Sequence, residues 1–430
     1  LTKKNAYQAM ITMHSWMFLS SFEKLRNKLL INNTIVNMAH LGTRAFEDIG
    51  GEVVQTTSFI LENVHVRDYQ SSYKRLVDYN SQDGKENEYL NEKNFYVSSS
   101  ENFSKIPGCP IAYWKNNSFF SKYETSNKIV DYAEPKAGLA TGNNSLFERL
   151  WYEVSFDSIG FGYNDAKETE NSSCKWYPCN SGGTFRKWYF NNEYVVNWFK
   201  NGSEIKKYRN NQGKLAARPQ NVQYYFKKGL TWNKISSSKF AVKYKNNGFI
   251  FDDTSRSLFI ANSNLMFYFL GFMCSKVAFD YMSVLNPSMS FTNNDIQRLP
   301  IIVDKEKIEN VNHLVNLNLK LSKSDWDSFE TSWDFKVHPL VKNHVSTISE
   351  AYNLWSKECE DRFKTLKKNE EELNRIFIDI YGLQDELDPY VEDRDVTVRK
   401  ADLVRDIKSF ISYAVGCMFG RYSLDSEGLT

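Results

Sequence analysis

The apolar and polar positions near the start of the chain predict a strand that leads into a helix. A short apolar run at residues 9–13 ends at the polar pair His14-Ser15. Apolar side chains then recur at helical spacing, behind Ser15 as a plausible N-cap, at Trp16, Leu19, Phe22, Leu25 and Leu29. Residues 34–41 and 52–62 are rich in strand-forming residues. This series predicts the closing part of an α/β sheet, with the first strand buried.

The pattern changes twice further along the chain. Residues 66–130 are mixed and carry turn signals and prolines, which predict a connector that leaves the sheet for a second domain. Residues 264–285 are predicted to form one helix, and its apolar run is too short to span a bilayer. Beyond Pro300 the apolar spacing becomes helical, and a helix is predicted from Ile348 to Leu383 with Gly382 as its C-terminal stop.

The last part of the chain is predicted to be helical and acidic. Over residues 399–419 the apolar side chains share one helical face, which is expected to dock onto the body of the chain: Leu403, Ile407, Phe410, Ile411, Ala414 and Met418. Residues 351–430 hold 12 basic and 17 acidic residues. This end therefore suits packing and contacts with other proteins better than contact with a polyanion.

Positive charge is concentrated in one segment. The whole chain has a net charge of +2, yet residues 171–245 hold 15 lysines and arginines against two acidic residues, with sixteen aromatic residues among them. Cations interleaved with flat rings are typical of surfaces that bind a phosphate backbone and unstacked bases. The alternative interpretation is a solvated face over an aromatic core. Alternating residues and the Asn-Gly pairs at 201–202 and 247–248 predict hairpins of an antiparallel sheet.

The spacing of the cysteines indicates the cellular compartment of the protein. Six cysteines show no paired spacing typical of a metal site, so reduced thiols in a cytoplasmic protein are the preferred interpretation. We expect no metal and no membrane partner.

Six blocks that follow one another along the chain resemble the adenine-specific DNA methyltransferase family of the BREX phage-resistance system, which is itself similar to the fused type IIG restriction-methylation enzymes. They are MITMHSWMFLSSFEKLR, VNMAHLGTRAFEDIGGEVVQTTSFIL, AEPKAGLATGNN, GGTFRKWYFNNEYVVNW, LNPSMSFTNNDIQRLPI and FISYAVGCMFGRYSLDSEGL. The resemblance runs from about Ala6 to Leu429, and several long blocks in order are more specific than one short motif.

The resemblance implies a multidomain α/β and α+β protein. Residues 1–65 correspond to the closing part of a class I methyltransferase sheet, and residues 66–130 to a connector. Residues 131–302 correspond to an α+β target recognition domain with antiparallel strands. Residues 303–430 correspond to a helical spacer and C-terminal helical region.

The two motifs that carry this family's chemistry are not found in the sequence. One is a Gly-rich turn after the first strand, which holds S-adenosylmethionine, and the other is an Asn-Pro-Pro-aromatic loop that grips the flipped adenine. Gly160-Phe161-Gly162, Asn286-Pro287-Ser288 and Asp388-Pro389-Tyr390 match them incompletely. We therefore expect the chain to begin after the catalytic half, with no catalytic residue. S-adenosylmethionine is expected to bind the full-length protein and not this part of it.

By the same resemblance, a wall of the target-base pocket remains in this chain. The candidates are His14, Trp16 and Phe59, because a flipped base stacks on aromatic or apolar side chains. For each residue taken singly, the competing interpretation is a core position or, for His14, a satisfied polar group at a strand end.

The resemblance makes double-stranded DNA the partner of the basic segment. Lys136, Thr141 and Asn143 lie in a polar loop before a helix, where a phosphate or an ordinary capped turn are equally good interpretations. Candidates for the phosphate backbone are Lys175, Arg186, Lys187, Arg218, Lys227, Lys228, Lys234 and Lys239. Candidates for reading base edges are Asn191, Asn192, Asn233, Ser236 and Ser237, and, in the loop that closes the domain, Asn286, Asn293 and Asn294. For that loop, an exit loop capped by Pro300 is an equally good interpretation.

Two functions of different class follow. The first is sequence-specific DNA recognition within an S-adenosylmethionine-dependent N6-adenine DNA methyltransferase that marks host DNA for a phage-defence system. Its other partners would be proteins of the defence complex and phage-encoded inhibitors. The alternative is a non-catalytic DNA specificity or scaffold subunit of a restriction or defence complex. A continuous upstream reading frame with an Asn-Pro-Pro-aromatic motif would favour the first.

Overall fold

The computed structural model of the protein describes residues 2–46, 54–236, 239–286, 288 and 290–430, and it has a mixed α/β architecture with several sheets. The strands are β1 (Tyr7–Met13), β2 (Thr34–Gly42), β3 (Thr56–Glu62), β4 (Gln70–Arg75), β5 (Phe95–Ser99), β6 (Asn127–Lys128), β7 (Ala133–Lys136), β8 (Glu148–Leu150), β9 (Trp176–Asn180), β10 (Tyr194–Asn197), β11 (Gly229–Asn233), β12 (Val242–Lys245), β13 (Ile250–Phe251), β14 (Ser255–Ile260) and β15 (Pro300–Ile301). The α-helices are α1 (Glu23–Asn32), α2 (Gln82–Tyr89), α3 (Ser100–Ser104), α4 (Asn117–Thr125), α5 (Asn144–Phe147), α6 (Phe199–Gly202), α7 (Met266–Met273), α8 (Lys276–Leu285), α9 (Asn293–Arg298), α10 (Ile308–Trp326), α11 (Pro339–Lys342), α12 (Ile348–Tyr381) and α13 (Leu403–Met418).

The first sheet has the strand order β1-β3-β2-β4-β5. Strand β3 runs antiparallel to both β1 and β2, whereas β2 and β4 are parallel. Two strands of this sheet, β4 and β5, therefore lie within residues 66–130. This part of the chain was expected to be a connector that leaves the sheet, so the expectation is wrong for these two strands. Their polar sequence hides the alternation, because the side chains that β4 buries include Ser71, whose hydroxyl donates to the Ile35 carbonyl at 2.5 Å.

The first strand, β1, was predicted to be buried, and the structure shows it exposed. β1 forms as predicted but lies at the edge of the sheet, and nearly all of its side chains are exposed, so the expected burial is wrong. Only β3 pairs with it among the described residues. Ser15 lies inside a short 3-10 turn, and α1 begins later, at Glu23, so the predicted N-cap is also wrong.

The basic segment contributes to two four-stranded sheets in place of one. Their orders are β13-β9-β10-β8 and β12-β11-β14-β7, and β6 pairs with β15 separately. The residues at 247–248 join β12 and β13, which belong to different sheets, and those at 201–202 lie in α6. The predicted Asn-Gly hairpins are therefore wrong, because strands next to each other in sequence pass from one sheet to the other.

The predicted helix over residues 264–285 is two helices. Its halves, Ser263–Met273 and Lys276–Leu285, are bent by 74°, and the Ser275 hydroxyl caps α8 by accepting from the Ala278 amide at 3.3 Å. Within the described residues, no single helix is long and apolar enough to cross a membrane. The two halves of this bent pair meet that criterion only when they are taken together, by length and composition. Both helices are largely buried, and α7 packs on α10, where a Cβ on Gly271 would meet Val311 at 2.9 Å.

The C-terminal region is helical, as expected. α12 is 34 residues long, Thr347 caps its start, and Gly382 ends it with a φ of 64°, which confirms the predicted helix and its stop. α13 docks only in part: Ile407 and Phe410 pack inward, but Leu403, Ile411, Ala414 and Met418 are exposed. The predicted docking face is wrong at those four positions.

Candidate nucleic-acid interface

The strongest exposed concentration of positive charge is the basic loop, residues 199–218, which follows β10. Six cations on it are exposed: Lys200, Lys206, Lys207, Arg209, Lys214 and Arg218. Its one acidic residue, Glu204, lies 3.8 Å from the ammonium of Lys175. Gly202 anchors the loop, because its φ is +71° and a Cβ there would meet the buried Trp198 ring at 2.7 Å. Local charge density of this kind attracts a polyanion.

A polar turn, residues 138–144, holds the end of the basic loop. The Arg218 amide donates to the Ala140 carbonyl at 2.7 Å, and the Ala140 amide returns a bond of 3.1 Å to the Arg218 carbonyl. Gly142 has a φ of +74°, and a Cβ there would stand 2.6 Å from the carbonyl carbon of Ala216. Asn143 caps α5 by accepting from the Leu146 amide and donates to the Tyr208 hydroxyl at 3.1 Å. Thr141 is buried and donates to Asn144.

The polar turn follows β7, which is an edge strand of its sheet. Lys136 on this strand pairs with Glu134 at 2.6 Å, over the Tyr224 ring. At the other side of β7, the Asn293 amide donates to the Pro135 carbonyl at 3.3 Å, and the Asn293 oxygen accepts from Arg256 at 3.1 Å. A partly exposed line of polar side chains therefore connects α9, β7 and the basic loop.

A polar cleft lies next to the α9 end of that line. Described residues between α8 and α9, together with α9 itself, face residues 18–26 and 107–110 across a cavity of about 310 Å³. Asn294 is exposed in it, whereas Asn286 is held by bonds of 2.7 Å to the Ser290 carbonyl and to Asp295. Arg298 also lines the cavity and was not singled out in the sequence, because an arginine that ends a short helix carries no motif of its own.

Three of the expected phosphate contacts face the C-terminal helical region. Lys187 is buried and pairs with Glu370 of α12, and Lys239 pairs with Asp395. Arg186 donates to the Thr397 carbonyl at 2.5 Å, and burial lowers the pKa of its guanidinium. The acidic balance of residues 351–430 therefore neutralises part of the basic segment inside the protein.

The remaining cations of that set are distributed over the surface. Lys227 and Lys228 are exposed, and Lys227 lies 3.6 Å from Asp165. Lys234 pairs with Asp253 at 3.1 Å. Two lysines that the sequence did not single out are buried: burial lowers the pKa of Lys243 to about 8 and that of Lys245 to about 7.

The expected base-reading residues of the basic segment are mostly turned inward. Asn191 and Asn192 are buried, and Asn191 donates to the Thr184 carbonyl at 3.1 Å. Asn233 donates to the Gly183 carbonyl at 2.7 Å, and the Ser236 hydroxyl donates to the Lys239 carbonyl at 3.1 Å. Ser237 lies outside the described residues.

Two of the three target-base candidates pack against each other, and the third contacts a different set of side chains. Trp16 and Phe59 are buried against each other, with ring centroids 5.1 Å apart, which favours the core interpretation. His14 is half-buried, and its Nδ1 lies 2.7 Å from Nε2 of His40, whose Nδ1 in turn lies 3.1 Å from the Tyr113 hydroxyl. Burial, with His14 as a second cause, lowers the pKa of His40 to about 3, so this chain of side chains is neutral near pH 7.

The two stretches that partly match the family's motifs, among the described residues, lack the setting of those motifs. Gly160-Phe161-Gly162 lies in a loop between short 3-10 helices, and a Cβ on Gly160 would meet the Tyr177 ring at 2.5 Å, so this glycine serves packing. Asp388 of the Asp388-Pro389-Tyr390 stretch pairs with Lys276 at 2.9 Å. No step of methyl transfer is assigned to these residues.

Comparison with known proteins identifies the relatives of the chain. No protein-family model matches it. It is 43% identical over 442 residues to the adenine-specific methyltransferase PglX of Lacticaseibacillus casei, covering 100% of this chain and 36% of that protein. It is 35% identical to the adenine-specific methyltransferase BrxX of Escherichia coli, covering 100% of this chain and 35% of that protein.

Among solved structures, the type IIL restriction-modification enzyme MmeI in complex with DNA aligns with 96% of this chain and 50% of that chain, at 10% identity and a TM-score of 0.49. The chain spans slightly more than a third of the length of the two curated relatives. The resemblance predicted from the sequence is confirmed: over its whole length, this chain is similar to adenine-specific methyltransferases of the PglX and BrxX kind.

Proposed function

We propose that this chain is the DNA-recognition part of a longer S-adenosylmethionine-dependent N6-adenine DNA methyltransferase that marks host DNA in a BREX-type phage defence. The observation that carries the proposal is the basic loop, which has six exposed cations and one acidic residue and is hydrogen-bonded to the polar turn at its end. The remainder of the enzyme supplies the cofactor site and the methyl transfer. Other proteins of the defence system and phage-encoded inhibitors are its further partners.

The first sheet supports this division of labour. β1 is an edge strand rich in apolar side chains, and its outer edge has no partner among the described residues. Native proteins rarely leave a long apolar edge strand uncovered. The arrangement of β3 antiparallel between β1 and β2 suits the closing strands of a methyltransferase sheet, and β1 is the strand on which the rest of that sheet would be built.

DNA contacts are divided between backbone and bases. The exposed cations of the basic loop, with Lys175, Lys227 and Lys228, contact phosphates and set affinity without reading sequence. Asn294 and Arg298 in the cleft, with Asn293 beside it, reach base edges, since asparagine suits adenine and arginine suits guanine. Residues 131–302 form the recognition domain in this assignment, and residues 303–430 brace it.

Binding of a fluorescent duplex to the purified chain, measured by anisotropy at several salt concentrations, tests the proposal. We expect affinity to fall steeply with salt, because binding releases counterions from the duplex. Lys207→Ala, Lys214→Ala and Arg218→Ala should each weaken binding to every sequence alike and lower the salt slope by about one. Lys357→Ala, an exposed lysine on α12, is the matched control and should leave the slope unchanged.

Sequence preference is tested separately with a pool of random duplexes. Asn294→Ala and Arg298→Ala should change which sequences are retained, at a cost of about 1–3 kcal/mol for a lost bidentate contact. Binding that ignores salt, or that Lys357→Ala weakens as much as Lys214→Ala does, would contradict the assigned surface. An unchanged preference in both cleft variants would contradict the assignment of the cleft.

A further inference from the structure

The end of the basic loop is a small two-stranded β-ribbon, residues 208–216. Its strands pair antiparallel at Arg209 and Leu215, and the Ala216 amide donates to the Tyr208 carbonyl at 3.1 Å. Residues directly opposite each other in an antiparallel pair place their side chains on the same face. The ribbon therefore presents a cation and an apolar side chain side by side.

A tight turn holds the tip of the ribbon. The Gly213 amide donates to the Asn210 carbonyl at 2.8 Å, and the Asn210 side-chain oxygen accepts from the amides of Gln212 and Lys214 at 3.0 and 3.1 Å. The Arg209 guanidinium donates across the turn to the Gly213 carbonyl at 2.7 Å. Because these bonds already fix the backbone of the tip, little of its conformational freedom is left to lose on binding.

Leu215 stands out among the side chains of the basic loop. In that loop, every residue of which the structure describes, it is the one large apolar side chain that is exposed, with 60% of its surface accessible. Its neighbours Lys214 and Arg209 are exposed cations. A protein segment that covered Leu215 would have to desolvate these cations, whereas a duplex brings phosphates to them. Charge therefore favours DNA over a protein segment, including one from the part of the longer enzyme outside this chain.

We propose that Leu215 enters the bound duplex as an apolar wedge that unstacks one base step. This inference rests on the proposed function, since it needs the basic loop to lie on DNA. Proteins that kink DNA insert leucine and similar side chains between base pairs, while cations hold the phosphates. Pyrimidine–purine steps open most easily, so the wedge selects duplexes with a TA or CA/TG step at its position. Contacts from the lysines to phosphates carry no such preference.

Permanganate footprinting of the full-length enzyme on a pool of random duplexes tests the wedge. Permanganate oxidises thymines that have lost their stacking, and every TA or CA/TG step contains a thymine. Sequencing of the retained duplexes should show a reactive thymine at such a step, at a fixed distance from the methylated adenine. The thymine opposite that adenine is a separate position, because it loses its stacking when the adenine is rotated out.

Three variants, each at saturating concentration, separate the wedge from the phosphate contacts. Leu215→Ala should lower the reactivity at the step to the level of free DNA, and because Leu215 is exposed this change leaves the fold intact. Leu215→Met keeps the apolar volume and should retain the reactivity. Lys214→Ala should weaken binding and still leave the bound duplex reactive at the step. Reactivity that persists in Leu215→Ala, or the lack of a second reactive thymine, would overturn the proposal.

Cysteine labelling of the full-length enzyme tests whether another part of that enzyme covers Leu215. Leu215→Cys should react with a maleimide beyond the level of the unaltered enzyme, and added duplex should protect it. Leu424→Cys is the matched control, since Leu424 is exposed and lies in the C-terminal region, and duplex should not change its labelling. A Leu215→Cys enzyme that stays unlabelled without DNA would overturn the wedge alone. An enzyme that retains no duplex at any salt concentration would contradict the proposed function, and the wedge with it.

Discussion

The buried pair between Lys187 and Glu370 gives the sharpest prediction about how the recognition region is held. Glu370 accepts from the Lys187 ammonium and, at 2.7 Å, from the Trp188 indole, and the side chains of Lys187 and Glu370 are 9% and 4% exposed. Glu370→Ala leaves a buried ammonium and a buried indole N–H without their acceptor. Removing one partner of a buried pair costs about 3–5 kcal/mol, because the remaining charge stays desolvated.

Urea unfolding followed by tryptophan fluorescence measures this cost. With a slope of about 3 kcal/mol/M, the unfolding midpoint should fall by about 1 M or more. Lys187→Met combined with Glu370→Leu removes both charges and should recover most of the loss, because apolar replacement of a buried pair is often neutral. A loss below about 1 kcal/mol in Glu370→Ala would refute the burial on which the reasoning depends.

Three further predictions concern other parts of the chain. Gly142→Ala should lower stability by about 1 kcal/mol or more and weaken duplex binding, because its Cβ would meet Ala216 of the basic loop; Gly162→Ala has a similar φ but open space and should leave binding unchanged. Burial, aided by Asp252, raises the pKa of Glu148 from 4.5 to about 7. Between these pH values the folded chain keeps a proton that the unfolded chain releases, so the stability against urea should fall as the pH rises from 4.5 to about 7. Glu148→Gln should abolish that fall, and a fall that persists would place its origin elsewhere. Calorimetric titration of this chain with S-adenosylmethionine should show no saturable binding, and clear binding would contradict the assignment of the cofactor site to the rest of the enzyme.

Local patterns in the sequence predicted local structure well. The run from Ile348 to Gly382 gave a helix with its cap and its stop, because helical spacing and a left-handed glycine act within a few residues. β1 also formed where the apolar run lies. The exposure of its side chains was not predictable, because it depends on what packs against the strand and not on the strand's own residues. The bend between α7 and α8 was hidden for a similar reason: Ser275 reads as one polar residue in an apolar run until its hydroxyl caps the second helix.

The candidate site was predictable as a region and not as a set of residues. The charge count of residues 171–245 located the basic segment, but it treated Lys187, Lys207 and Lys243 alike. Lys187 pairs with a carboxylate of α12, 183 positions away in sequence, and Lys243 is buried, while Lys207 is exposed on the basic loop. No pattern within the segment distinguishes them, because the distinction is made by residues far along the chain.

The acidic C-terminal region therefore has a structural role in the proposed recognition. Glu370 and Asp395 pair with Lys187 and Lys239 on the side of the recognition region that faces the helices. The basic loop itself holds one acidic residue, Glu204, and Glu170 lies near its Lys206. In the proposed recognition, a duplex would therefore be attracted to the exposed cations of the basic loop and not to the lysines that are paired with the C-terminal region. Because the Lys187–Glu370 pair is buried, it also resists salt that screens the exposed cations. Raising the salt concentration should thus release DNA well before it loosens the recognition region from α12, and the urea midpoint of the chain should stay nearly constant over the salt range in which duplex binding is lost.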